Sequence, residues 1–150
     1  MSSPHPDPAG MGAAVYDLAV RDGRYAPDAF FWLLNSLNRL LEKVVDEEKG
    51  LRHVGGEELA LSLVSQAVED FGPIALDVFR KWGISRTLDF GEIVYALIGA
   101  GLLAKTDRDH LSDFDGLCDL REALSAPFRP RSGDPWPATP AEEPLPEEDD

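Results

Sequence analysis

One cysteine, Cys118, is all that 150 residues contain, so no internal disulfide can form. A lone Cys suits a reducing compartment and rules out a disulfide framework. Basic residues are also scarce. Fourteen Lys and Arg stand against 28 Asp and Glu, a formal charge of −14. A field of that sign repels phosphate backbones and anionic membranes, and leaves basic proteins or metal cations as easier partners. Long apolar runs are missing as well. The longest uncharged one, Ile93–Ala104, has twelve residues, too few to span a bilayer. Residues 1–10 are polar and hold three prolines, unlike a secretory leader. These absences together predict a cytoplasmic protein with no membrane contact.

Motifs for the commoner chemistries are absent too. The chain has no phosphate-binding P-loop, no Gly-x-Gly-x-x-Gly, no nucleophile elbow and no His-Glu-x-x-His. One cysteine with three scattered histidines gives no zinc-ligand spacing. Carboxylate pairs such as Asp89 with Glu92, or Asp107 with Asp109, arise by chance among so many acids. The expectation is therefore no enzyme, no catalytic residue and no cofactor.

What is present is a core. The chain is 43% hydrophobic, enough for one domain without disulfide or metal. Residues 1–10 read as a disordered head. Residues 127–150 hold seven prolines, two arginines and seven acids, and read as a disordered, acidic, Pro-rich tail. The helical domain between them, 11–126, keeps 12 cations and 20 anions and is acidic in its own right.

Gly and Pro punctuation divides that domain into five helices. The first, about 11–22, carries Met11, Ala14, Val15, Leu18 and Ala19 on one stripe and ends at Gly23. The second opens at Pro27, a favourable first helical residue, and repeats Phe30, Leu33, Leu34, Leu37, Leu41 and Val44 at helical spacing. The third follows Gly55-Gly56, with Leu59, Leu63, Val64, Ala67, Val68 and Phe71 inward. Gly72-Pro73 breaks the chain into a fourth, 73–82, burying Ile74, Ala75, Val78, Phe79 and Trp82. The fifth follows Thr87, with Asp89 as cap and Glu92 reaching back to it, and buries Phe90, Ile93, Val94, Leu97 and Ile98. Helices three to five then suggest a winged-helix-like tri-helical unit, with a small hairpin of 103–108 against 116–120 as its wing. A plain bundle is the alternative.

A set of short segments carries a resemblance. They are Arg24-Tyr25, Arg52-His53-Val54 with Gly56-x-Glu58-Leu59, Phe71-Gly72-Pro73, and Trp82-Gly83-Ile84 with Thr87. Asp89-Phe90-Gly91-Glu92-Ile93-Val94, Gly101-Leu102-Leu103-x-Lys105-Thr106, Asp109 and Asp113-Phe114 complete the set. In this order, over roughly residues 14 to 125, the chain resembles a family of small uncharacterised bacterial proteins built on a conserved hypothetical repeat-type domain. The resemblance implies a bacterial setting and transfers no activity and no site residue.

Several constellations remain as candidate sites. Residues 111–122 place Asp113, Asp115, Asp119 and Glu122 at oxygen-ligand positions of a calcium-binding EF-hand loop, with Gly116 at its sharp turn. Leu111 stands where the first aspartate belongs, and a solvated acidic turn explains the same residues. Arg52 and His53 precede the third helix, and His53 can serve as ligand, base or packed loop residue. Cys118 paired with His110 or His53 would make a nucleophile, but Asp119 and Asp115 flank the thiol and push its pKa up. Arg80, Lys81 and Arg86 form a small basic cluster able to touch nucleic acid, although Asp89 and Glu92 occupy the start of the helix that would read bases. Trp136 between Pro135 and Pro137 suits an extended ligand for an aromatic groove. The reading that best joins these observations is a non-catalytic protein–protein interaction module of a cytosolic bacterial protein. Its partner is a protein of basic character, and Arg52, His53 and Trp136 are its interaction candidates. Calcium binding at 111–122 and nucleic-acid contact through Arg80, Lys81 and Arg86 are the alternatives.

Overall fold

A computed structural model describes residues 8–48, 54–104 and 109–128. The domain is mainly α. Five helices stand where Gly and Pro predict them: α1 (Pro8–Asp22), α2 (Pro27–Glu48), α3 (Gly56–Phe71), α4 (Ala75–Trp82) and α5 (Thr87–Gly99). A short α6 (Leu120–Ser125) follows, and 3-10 turns occupy Gly72–Ile74, Leu111–Phe114 and Ala126–Phe128. The helical domain begins earlier in the structure than in the sequence reading, because α1 already includes residues 8–10. Likewise the 3-10 turn carries the folded part past residue 126. The expected disorder of residues 1–7 and 129–150 concerns segments outside the described residues.

α2 is the longest helix and it organises the core. Phe30, Leu33, Leu34, Leu37, Leu40, Leu41 and Val44 are buried, the full predicted stripe plus one. α1 lies against α2 and α5 through Val15, Leu18 and Ala19. α3 packs on α2, α4, α5 and α6. Its buried face is narrower than the spacing suggests: Leu59, Ala60, Leu63 and Ala67 are enclosed, while Val64, Val68 and Phe71 are half-buried. α5 is the most deeply set, with Phe90, Ile93, Val94 and Leu97 wholly enclosed.

Three expectations for the fourth helix need correction. Ile74, predicted inside, is 57% exposed. It belongs to the 3-10 turn Gly72–Ile74, whose three residues per turn put it out of phase with the α-helical stripe that follows. Val78 and Trp82 are half-buried rather than enclosed, while Phe79 is fully buried.

The predicted wing is also corrected. Leu103, Ala104 and residues 116–119 form no strand, and Leu120, placed in the wing's second strand, opens α6. Leu120 and Leu124 are four apart and buried together, which is helical spacing. Asp119 caps this helix by accepting from the Arg121 amide at 3.0 Å. Residues 105–108 of that hairpin lie outside the described residues.

Gly56–Trp82 has the length and apolar composition of a membrane span, with a mean hydropathy of 1.2 over an 18-residue stretch of it. The 3-10 turn after Phe71 divides it into α3 and α4, and both lie against other helices of the bundle.

Candidate functional site

The densest polar arrangement is built where the α1–α2 connection meets the α4–α5 connection. Its centre is Asp89, only 5% exposed. The Tyr25 hydroxyl donates to its Oδ1 at 2.6 Å. Its Oδ2 accepts from the Ser85 amide at 2.8 Å, the Arg86 amide at 3.1 Å and the Ser85 hydroxyl at 3.3 Å. The Arg86 guanidinium adds charge at 3.7 Å. Burial alone would raise the Asp89 pKa, but the Tyr25 hydroxyl, the two amides and Arg86 outweigh it and hold the carboxyl below its ordinary value. The Tyr25 phenol moves the other way, raised by burial and then by its bond to Asp89.

Sequence reasoning misplaces Asp89 by three positions. Arg86, in extended conformation, is the residue before the helix, and Asp89 is its third residue. Asp89 therefore reaches back to the amides, the part expected of Glu92. Glu92 instead accepts from Arg24 at 3.0 Å, and Arg24 also pairs with Asp22 at 2.8 Å and lies 5.4 Å from the Tyr25 ring centre.

The same junction is closed by backbone. The Ala26 amide donates to the Trp82 carbonyl at 3.1 Å. Gly83 ends α4 at φ +91°, and a Cβ there would meet the Arg24 carbonyl oxygen at 2.7 Å. Only glycine satisfies both conditions. Below the junction the fully buried Phe114 fills the space between α3 and α5. A Cβ on Gly91 would sit 2.6 Å from the Phe114 ring, and one on Gly56 3.0 Å from it. The Leu117 amide donates to the buried Thr87 hydroxyl at 3.2 Å, fixing the segment after Phe114 on α5. Many residues that carry the resemblance thus meet here: Arg24, Tyr25, Gly56, Trp82, Gly83, Thr87, Asp89, Gly91, Glu92 and Phe114. Their contacts join elements far apart in sequence, and each is spent on holding them together.

The predicted site residues fare differently. In the acidic segment, Asp113 folds back to accept from the His110 amide at 3.1 Å, and Asp119 caps α6. Local backbone thus takes two of the four carboxylates that the calcium reading needs turned into one loop. Among the described residues, no three of His, Cys, Asp and Glu come together as a metal-binding group. Cys118 is half-buried, and its thiol pKa is raised by burial and by Asp119, the direction expected of an unreactive thiol. Arg80 pairs with Asp77 at 3.3 Å and Arg86 with Asp89, so two members of the basic cluster are turned onto the chain's own acids. Arg52, His53 and Trp136 lie outside the described residues.

A second arrangement was not anticipated. Trp32 of α2, Phe71 of α3 and Trp82 of α4 form a half-buried aromatic triad, with ring centres 5.5 to 5.8 Å apart. Phe79 supports it from beneath, 5.4 Å from Trp32 and 6.0 Å from Trp82. Trp32 Nε1 donates to Asp70 at 2.9 Å, and both terminal guanidinium nitrogens of Arg39 donate to Asp70 at 2.6 and 3.1 Å. Arg39 keeps the Asp70 carboxyl below its usual range. Ile74 lies three residues beyond Phe71 and points into solvent. Phe71, Phe79 and Trp82 are legible as apolar positions, but Trp32 escapes because it falls off the main α2 stripe. The chain matches no family model, no curated protein and no solved structure.

Proposed function

We propose that this domain is a non-catalytic protein-interaction module of a cytosolic bacterial protein, and that it recognises a partner of basic character. The observation that carries the reading is the aromatic triad Trp32–Phe71–Trp82, which stays partly exposed beside the solvent-facing Ile74. Aromatic side chains at a surface supply large contact area at low entropic cost, and such residues dominate binding energy at interfaces. The chain's charge of −14 favours a cationic partner. The polar junction around Asp89 argues against chemistry, since both carboxylate oxygens are occupied and enclosed. The lone cysteine and the resemblance to small bacterial proteins support the setting.

Ile74→Glu tests the reading with little risk to the fold, because surface changes of this kind shift stability by within about 0.5 kcal/mol. Affinity capture from the source cell is expected to retain a basic protein on the wild-type chain and lose it on Ile74→Glu, with unchanged circular dichroism. Equal retention by both chains would refute this face.

A further inference from the structure

A separate cleft lies between α2 and α3. It measures about 240 Å³ and is lined by Arg39, Lys43, Ser62, Ser65, Gln66 and Glu69, with Leu40 behind them. We propose that this cleft binds a small α-amino acid in its zwitterionic form. Six of its seven lining residues are polar, which suits a hydrophilic ligand rather than an apolar one. The volume admits only a small molecule.

The charges decide the class. The Arg39 guanidinium is already committed to Asp70, so Lys43 and Glu69 are left as one charge of each sign on the wall. A dianion would meet Glu69 within an acidic protein, and a diamine would meet Lys43. A zwitterion presents an opposite charge to each. Two further atoms in the wall are buried without a hydrogen-bond partner in the protein, Arg39 Nε and Gln66 Oε1. One is a donor and the other an acceptor, and leaving either unmatched costs free energy. Both atoms are enclosed, so a carboxylate reaches the first and an ammonium the second only with a small shift of the surrounding side chains. Gln66 is held in place by donating through Nε2 to the Ser36 carbonyl at 3.0 Å and to Ser62 Oγ at 2.9 Å. Its Oε1 is therefore fixed as the acceptor, and the Ser62 hydroxyl proton is left to donate.

The test is a thermal-shift survey of the full chain against each of the twenty amino acids at about 10 mM, since a ligand that binds the native state raises the midpoint by mass action. Inorganic phosphate and putrescine serve as probes of one charge sign. At least one amino acid is expected to raise the midpoint, with neither control doing so. Calorimetry on that amino acid is then expected to show at least about tenfold weaker binding to Lys43→Met and to Glu69→Gln, each of which removes a charge-assisted contact. Both residues are exposed, and an unchanged ligand-free midpoint checks that the variants fold. The proposal is overturned if no amino acid shifts the midpoint, if phosphate or putrescine is the better ligand, or if both variants bind as the wild type does.

Discussion

Asp89→Ala is expected to lower the stability of the domain by about 3–5 kcal/mol in denaturant melts, the cost of breaking a buried charged network from one side. The loss comes from the donors left behind. The Tyr25 hydroxyl and the amides of Ser85 and Arg86 all direct their protons at this carboxylate, and each becomes an unanswered polar group when it is removed. Tyr25→Phe takes away one donor and keeps the ring, which packs edge-on against Phe30 at 6.5 Å. Its expected cost is smaller, about 1–3 kcal/mol. The two changes share a partner, so the double variant should cost less than their sum. Two single variants that melt like the wild type would show that the network contributes nothing.

The pH dependence follows from the same bonds. The Asp89 carboxyl is held below its ordinary value in the folded state. Its contribution is complete above the unfolded-state pKa, near pH 4, and disappears as pH falls through the lower folded value. The stability gap between wild type and Asp89→Asn is therefore expected to be constant at neutral pH and to narrow below about pH 4. Tyr25 has the opposite window. Its phenol is held above its ordinary value, so that contribution persists up to about pH 10 and fades at more alkaline pH. A gap that widens on acidification would contradict the carboxylate's assigned role.

Phe114→Ala is the second large effect, expected at about 3–5 kcal/mol, the range for emptying a buried aromatic position. Phe114 has no exposed surface and touches two glycines on two helices. The reciprocal change is Gly91→Ala. Its new methyl would lie 2.6 Å from the ring and 2.9 Å from Leu111, and overpacking of this kind costs about 1–3 kcal/mol. Combining Gly91→Ala with Phe114→Leu lets a smaller side chain make room. The pair is expected to be less destabilising than the two single costs added, again by denaturant melts. Strict additivity would mean that the two positions do not press on each other.

These positions show how far the residues alone disclose the fold. α2 is fully readable because Pro27 marks its start and its apolar residues, Phe30 to Val44, keep one period over about four turns. The break after Phe71 is equally plain from Gly72-Pro73. What periodicity misses is the 3-10 geometry at that break, which carries Ile74 outward. Phe114 escapes for a different reason: it is a single aromatic residue in a polar segment, with no neighbouring repeat to mark a buried face. Tyr25 and Asp89 are 64 positions apart, and no local rule joins them. The acidic segment shows the converse. Oxygen spacing there fits a cation loop, yet Asp113 and Asp119 each find a backbone amide two or three residues away, and such local bonds compete with any other use of the side chain.

The position of Phe114 along the chain also bears on how the protein is made. Its partner Gly56 precedes it by 58 residues and Gly91 by 23. Synthesis runs from the N-terminus, so α1 to α5 leave the ribosome before the ring that fills the gap between two of them. Until then the floor of that gap, and the surfaces later covered by Leu120 and Leu124, face water. The nascent chain thus holds nearly all its helices while still lacking the plug that closes its core, a stage at which exposed apolar surface invites chaperones and proteases.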